Sequence, residues 1–279
     1  MTTEPTKPES SGPEPEAPSA NDTAVEIEPG HWLTAYVKDG REFDRASFKG
    51  VDLSGVDLAG GIFLACDFSA ALLVTTDCRY ASFVDCAFHH ADLTSFLAQG
   101  ATFERCQFLN VLATGADFSD CNFDNCKFEM FKSTDSLWLG SSFGQSALSR
   151  IDWQRADLSQ QSFSQCALAD LDCGAATLMR WTMNESTLSR VHVQGAFGHE
   201  QSYWKSTIDS INWHEVAMIG SLFIECSFHA VSFADAVLSK STFKACGLYR
   251  ADFQRVVADN SGFSDCDLIG ADFSHAHLP

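Results

Sequence analysis

Residues 61–110 read GIFLACDFSAALLVTTDCRYASFVDCAFHHADLTSFLAQGATFERCQFLN, and every fifth residue from Phe63 belongs to one series: Phe63, Phe68, Leu73, Cys78, Phe83, Phe88, Leu93, Ala98, Phe103 and Phe108. Followed outward, the series runs from Phe43 to Leu278 without insertion or deletion, forty-eight positions of which Phe fills 20 and Leu 13. Of the 23 phenylalanines only Phe96, Phe131 and Phe197 fall outside it. Two residues before each central position stands a second series, usually small, as in Ala46, Val51, Val56, Gly61, Cys66 and Ala71. The consensus is small, polar, Phe or Leu, any, any. A period of five matches neither the helical nor the strand repeat, and self-similarity of this kind marks stacked units that bury a core only against their neighbours.

A period of twenty lies over the first. Phe43, Phe63, Phe83, Phe103, Phe123, Phe143, Phe163, Met183, Tyr203, Phe223, Phe243 and Phe263 form a series that is aromatic in all but one place. Cys66, Cys86, Cys106, Cys126, Cys166, Cys226, Cys246 and Cys266 share another, with Ser146, Ser186 and Ser206 in its gaps. Four pentapeptides therefore make one coil, and like stacks on like.

The motif resembles the pentapeptide-repeat family, written A(D/N)LXX, on Ala91-Asp92-Leu93, Ala116-Asp117-Phe118, Ala251-Asp252-Phe253 and Ala271-Asp272-Phe273. The resemblance covers residues 41–279. It implies an all-β fold, a right-handed quadrilateral β-helix whose central and small residues point into a narrow shaft. Forty-eight pentapeptides give about twelve coils, a rod about 58 Å long at the usual strand spacing. Within the family, this loose consensus, rich in Cys, Trp and Phe, is similar in style to rods that accompany bacterial type VI secretion machinery as accessory or adaptor parts.

The flanks differ from the repeat. Residues 1–30 hold six of the seven prolines and seven Asp and Glu against one Lys. Such a composition buries too little apolar surface to offset ordering, so a disordered acidic tail is expected. Over residues 31–42, Trp32, Leu33, Tyr36 and Val37 lie on one face of a short amphipathic cap, ahead of the β-helix at 43–279.

With 37 acidic and 18 basic side chains the formal charge is −19, which disfavours direct nucleic-acid binding because that requires Lys and Arg to displace counterions. No apolar run is long enough for a membrane span, and the first thirty residues lack a basic start with an apolar stretch. The expectation is a cytoplasmic protein without membrane contact, its eleven Cys reduced.

The cysteines alternate with Ala, Val and Ser in equivalent slots, so they are read as small core residues rather than metal ligands; Cys78 and Cys173 occupy central slots, and the Cys121–Cys126 pair lacks zinc-like spacing. His89, His90, His192, His199, His214, His229, His275 and His277 fall at outward or turn positions on different faces. A filled shaft offers no active-site cavity, and neither cofactor nor metal is expected.

Two outward features remain as candidate partner-binding sites. From Phe131 to Gly220 the consensus frays: Ser133, Gly198 and Met218 take central slots while Phe131, Leu171, Trp181 and Ile211 take small ones, which predicts compensated packing or a local bend. Around the end of this stretch the outward residues Phe197, Trp204, Ile219, Leu222, Ile224 and Val237 make an apolar cluster suited to a protein partner. Asp52, Asp57, Asp92, Asp117, Asp152, Asp157 and Asp172, with Asp252 and Asp272, lie on two adjacent faces. Locally they suit turn amides; in the family's quinolone-resistance members such a stripe implies imitation of duplex phosphate toward a type II topoisomerase such as gyrase. The expectation is a non-enzymatic protein-interaction scaffold, with a DNA-mimicking topoisomerase inhibitor or protector as the alternative. An open coil end leaves monomer or end-to-end homodimer as the oligomeric state.

Overall fold

A computed structural model of the protein describes residues 31–278; the expected tail at 1–30 lies outside them. One α-helix, α1 (His31–Lys38), precedes a chain that is otherwise short strands and turns. Leu33 and Val37 of α1 are buried, Tyr36 sets its ring 4.7 Å from that of Phe43, and Thr34 donates to the Asp57 carbonyl. The helix thus closes the first coil over its aromatic core, while Trp32 stays exposed on its outer side.

Every strand pairs in parallel with the strand twenty residues on. Phe43 opposes Phe63, Phe63 opposes Phe83, and the register holds to Phe243 opposite Phe263. The first face of the rod is a 12-stranded sheet from Glu42–Asp44 to Gly262–Ser264, one strand for each coil. The second face carries a 7-stranded sheet from Gln107–Leu109 to Ser227–His229. On the fourth face, and on the third outside residues 131–192, each coil meets the next through single bridges, such as Asp52 with Leu72 and Asp57 with Asp77.

The corners explain why the coil is square. All forty-eight fifth residues from Gly40 to His275 have φ between 47° and 73°, and thirty-eight of them are not glycine. A left-handed residue costs an L-amino acid about 1–2 kcal/mol, and here the cost is offset by hydrogen bonds that only this conformation allows. The Arg45 amide reaches the Leu64 carbonyl at 2.8 Å, and the Gly50 amide reaches that of Ser69 at 2.9 Å. Where the turn also closes on itself, as from the Val51 amide to the Phe48 carbonyl at 3.0 Å, positive φ at the third residue makes it type II.

The shaft is filled with rings. From Phe43 to Phe163 the first-face phenylalanines stack 4.8–5.1 Å apart within 13° of parallel. Phe48, Phe68, Phe88, Phe108 and Phe128 stack likewise on the second face and meet the first edge to face, as Phe63 does with Phe68 at 5.4 Å. Offset-stacked and T-shaped contacts are the two favoured aromatic geometries, and the square shaft supplies both at once.

In the frayed middle the register of twenty continues, and compensated packing is the outcome. Phe131 turns into the space that Ser133 leaves, with Phe128 and Trp138 edge-on to it at 5.3 and 6.0 Å. Phe131, Ile151, Leu171 and Val191 stack in what is elsewhere a small column, and there the strands lengthen around the corner to six residues: Lys127–Lys132, Ala147–Asp152, Ala167–Asp172 and Thr187–His192. Several buried polar side chains in this region find partners, although Trp153 Nε1 has none. Trp138 Nε1 donates to Ser136 and Ser133, Trp181 Nε1 to Gln161 at 2.8 Å, and Tyr203 to Gln201 at 2.8 Å.

Candidate protein-binding surface

The cysteine column lies inside the shaft. Cys66, Cys86, Cys106 and Cys126 are buried, each thiol directed at a backbone carbonyl of the preceding coil, as Cys66 is at Phe43. Burial pushes the thiols of Cys78, Cys106, Cys121, Cys166 and Cys173 upward, so they are inert hydrophobes. Among the described residues no cluster of three or more His, Cys, Asp or Glu is placed to hold a metal. Of the eleven cysteines only Cys266 is partly exposed. Titration of the native protein with an aromatic disulfide reagent is therefore expected to modify one thiol rapidly and the other ten only as the rod unfolds. Several fast thiols would contradict the filled shaft.

A shallow groove of about 470 Å³ on the second face is lined by Ser227, Phe228, His229, Ala230, Gly247, Tyr249, Arg250 and Asp267. Arg250 stacks over the Tyr249 ring at 4.9 Å, and no hydrogen bond joins Ser227, His229 and Asp267. Among the histidines, His214 sits with Nδ1 3.2 Å from Asp235 and Nε2 3.6 Å from Glu215. Glu215 and Asp235 stand twenty residues apart in one column, so the convergence follows from the period of twenty.

The nine aspartates of the two acidic faces all perform the local task. Each accepts a hydrogen bond from the backbone amide two residues on, from Ser54 to Asp52, Ala59 to Asp57, Thr94 to Asp92, Ser119 to Asp117, Gln154 to Asp152, Ser159 to Asp157, Gly174 to Asp172, Gln254 to Asp252 and Ser274 to Asp272, at 2.9–3.2 Å. The Ser54 and Ser274 hydroxyls and amides hold Asp52 and Asp272 below the ordinary carboxylate range. The second oxygens of Asp117, Asp172, Asp252 and Asp272 accept from Gln99, Gln154, Ser232 and Gln254, and the charge of the rod is uneven. Counted by face, the third and fourth carry sixteen acidic and six basic residues, net −10, against thirteen and ten, net −3, on the first and second. On the acidic faces exposed leucines interrupt the columns: Leu72 and Leu112 between Asp52, Asp92 and Asp152, and Leu97 and Leu137 between Asp77, Asp117 and Asp157.

The apolar cluster assembles around the corner between the fourth and first faces. Phe197 and Val237 flank Ala217 in one fourth-face column, Trp204 lies beside Ile224 on the first face, and Ile219 and Leu222 stand on either side of the corner glycine, Gly220. Phe197 is 51% exposed and Trp204 38%, whereas Ile219, Leu222, Ile224 and Val237 are half-buried by their neighbours. Phe197 meets the His199 ring edge-on at 4.4 Å, and His199 Nδ1 accepts the Ile219 amide at 3.2 Å, so the imidazole braces both apolar residues. The Lys205 ammonium lies 4.2 Å from the Trp204 ring.

A filled square shaft, parallel strands twenty residues apart and sites confined to its outer faces define a parallel β-solenoid. The Pentapeptide repeats family model matches it in eight copies over residues 98–129 and 246–279, so those two stretches are pentapeptide repeats. Among solved structures it is similar to HetL, a pentapeptide repeat protein involved in heterocyst differentiation regulation from the cyanobacterium Nostoc sp. strain PCC 7120, at 15% identity over 87% of this chain and 91% of that one, TM-score 0.34. Full-length QnrB1, a plasmid-mediated fluoroquinolone resistance protein, is 15% identical over 71% of this chain and 91% of its own, TM-score 0.34. The A-module of the Azotobacter vinelandii mannuronan C-5 epimerase is 7% identical over 82% and 75%, TM-score 0.27. No curated protein matches the chain in sequence. Among the described residues no helix is long and apolar enough to cross a membrane.

Proposed function

We propose that this protein is a non-enzymatic protein-interaction scaffold that engages its partner through the corner patch of Phe197 and Trp204. The supporting observation is that Phe197 and Trp204, 51% and 38% exposed, stand beside the half-buried Ile219, Leu222, Ile224 and Val237 at one corner of a rod whose core is packed shut with rings. Exposed aromatics backed by a rigid sheet are what binding hot spots are made of. An accessory part of a bacterial secretion assembly is the setting we favour. Phe197→Ser with Trp204→Ala, both outward changes, is expected to release the partner in a tagged pull-down at moderate salt, with a loss of about 30-fold in affinity for a hot-spot pair. An unchanged set of co-purifying proteins would sink the assignment of the patch.

A second reading rests on the net −10 of the third and fourth faces: a basic partner docks there, including a type II topoisomerase held by imitation of DNA. Binding of that kind weakens as salt screens exposed charges. Micromolar protein that leaves gyrase supercoiling untouched at low salt would count against it.

A further inference from the structure

The fourth face carries more than the patch. Its two outward columns read Asp57, Asp77, Leu97, Asp117, Leu137, Asp157, Thr177, Phe197, Ala217, Val237 and Val257, and Ala59, Arg79, Gln99, Ser119, Leu139, Ser159, Met179, His199, Ile219 and Ser239. Leu97, Leu137 and Leu139 are exposed, and with Phe197, Ile219 and Val257 they form an interrupted apolar series over eight coil steps, about 38 Å at the strand spacing, with Asp117, Asp157 and Thr177 between them. Its first six coils carry five carboxylates, Asp57, Asp77, Asp117, Asp120 and Asp157, against Arg79, which is itself tied to Asp77 at 2.6 Å. Lys38 of α1 reaches Asp57 at 3.2 Å. The later coils are nearly uncharged outside the Arg180–Glu200 pair, Lys240 and Asp259.

Resting on the scaffold reading above, we propose that this whole face is the seat of one amphipathic α-helix from the partner, laid along the rod axis, with its basic end over Asp57–Asp157 and its apolar stripe running to Phe197 and Val257. Three physical features select a helix. The backbone of the face is saturated: the Leu97 amide donates to Thr76 and its carbonyl accepts from Cys78, the Leu137 amide donates to Ala116 and its carbonyl accepts from Phe118, and the Phe197 amide donates to Ala176 and its carbonyl accepts from Leu178, all at 2.7–3.0 Å. A partner strand therefore finds no edge to extend here, and recognition falls to side chains. One side of the coil is three residues wide, about 10 Å, close to the 10–12 Å diameter of a helix. Coils repeat at about 4.8 Å and helical turns at about 5.4 Å, so the drift is about 2 Å between Leu137 and Phe197 and about 5 Å, one coil, over the eight steps of the face. Charge complementarity fixes the polarity of the occupant, because a cationic end placed over the uncharged coils would forgo Asp117, Asp120 and Asp157, which, unlike Asp57 and Asp77, carry no ion pair among the described residues.

The test installs a photo-crosslinking phenylalanine analogue at Leu137 or at Phe197 of the full chain, irradiates cells that produce it, and maps the partner residues joined at each position. Leu137 and Phe197 lie three coils apart, about 14 Å, which a helix covers in about ten residues. The expected result is one partner segment, joined at two sites about ten residues apart, with Lys or Arg beyond the Leu137 site. Crosslinks at Phe197 alone, at two unconnected segments, or to a segment without that basic end would overturn the helix inference and leave the patch standing. Absence of crosslinks at both positions would take down the helix and the patch together.

Discussion

Replacing Phe123 by alanine is expected to lower the stability of the rod by about 3–5 kcal/mol, the range for deleting a buried aromatic from a core that cannot collapse. Phe123 is fully buried between Phe103 and Phe143, each 4.8 Å away and within 13° of parallel, with Phe128 and Trp138 at 5.3 and 5.6 Å. The backbone around it cannot close the hole, because every residue of the coil is pinned to the coils on either side: the Asn122 amide to Ala101 and the Asn125 amide to Gly144. A domain's whole margin is about 5–15 kcal/mol, so the loss should show as a large fall in the denaturation midpoint. Because each coil touches only its neighbours, hydrogen exchange should accelerate first in the amides from Phe103 to Phe143. The same change at Phe273, half-buried at the last coil and stacked on one side only, on Phe253 at 4.7 Å, should cost far less. Equal losses at the two positions would mean that stability is not transmitted coil by coil.

The rule that makes Phe123 costly is the part of the fold most legible in the sequence. Phe at 43, 63, 83 and 103 can recur at twenty only if those residues share an environment, and the strand register of Phe43 with Phe63 and onward is that environment. The left-handed corner was not read, although its signal is present. Gly50, Gly55, Gly60, Gly100, Gly115, Gly140, Gly195, Gly220 and Gly270 all fall on the corner column, and the thirty-eight non-glycine residues there mask it, being stabilised by coil-to-coil hydrogen bonds rather than by residue type. The pairs of Asp85 with Arg105, Asp135 with Arg155, Asp170 with Arg190 and Asp235 with Arg255, at 2.6–2.7 Å, likewise follow from the period of twenty once it is applied outside the shaft. In each the arginine side chain donates to the carboxylate and holds it below the ordinary carboxylate range. For the surface, the large aromatics Phe197 and Trp204 stood out against a polar background, whereas Leu97, Leu137 and Leu139 did not. Leu97 and Leu137 share the outward column of Phe197, so the register of five places them on the surface too, where smaller side chains among aspartates give a weaker signal.

Restoring the consensus should damage the frayed middle. Ser133→Leu puts the family's favoured residue into a central slot, yet an overpacking loss of about 1–3 kcal/mol is expected, because Phe131 already fills that part of the shaft. It also removes the Ser133 hydroxyl, which accepts from Trp138 Nε1 at 3.1 Å and donates to Ser136 at 2.7 Å. Phe131→Ala alone should cost about 3–5 kcal/mol through the opposite error, a cavity among Phe108, Phe118, Phe128 and Trp138. Each substitution supplies what the other lacks: leucine's volume fills the cavity, and alanine's small size makes room for the leucine. Chemical denaturation of the two single variants and the double should therefore give a coupling of about 0.5–3 kcal/mol, the double being more stable than the sum of the singles. Simple additivity would mean that Phe131 and Ser133 do not share one space, and the exchange of large and small between the two columns would then be a coincidence of sequence rather than the way this stretch of rod keeps its shaft full.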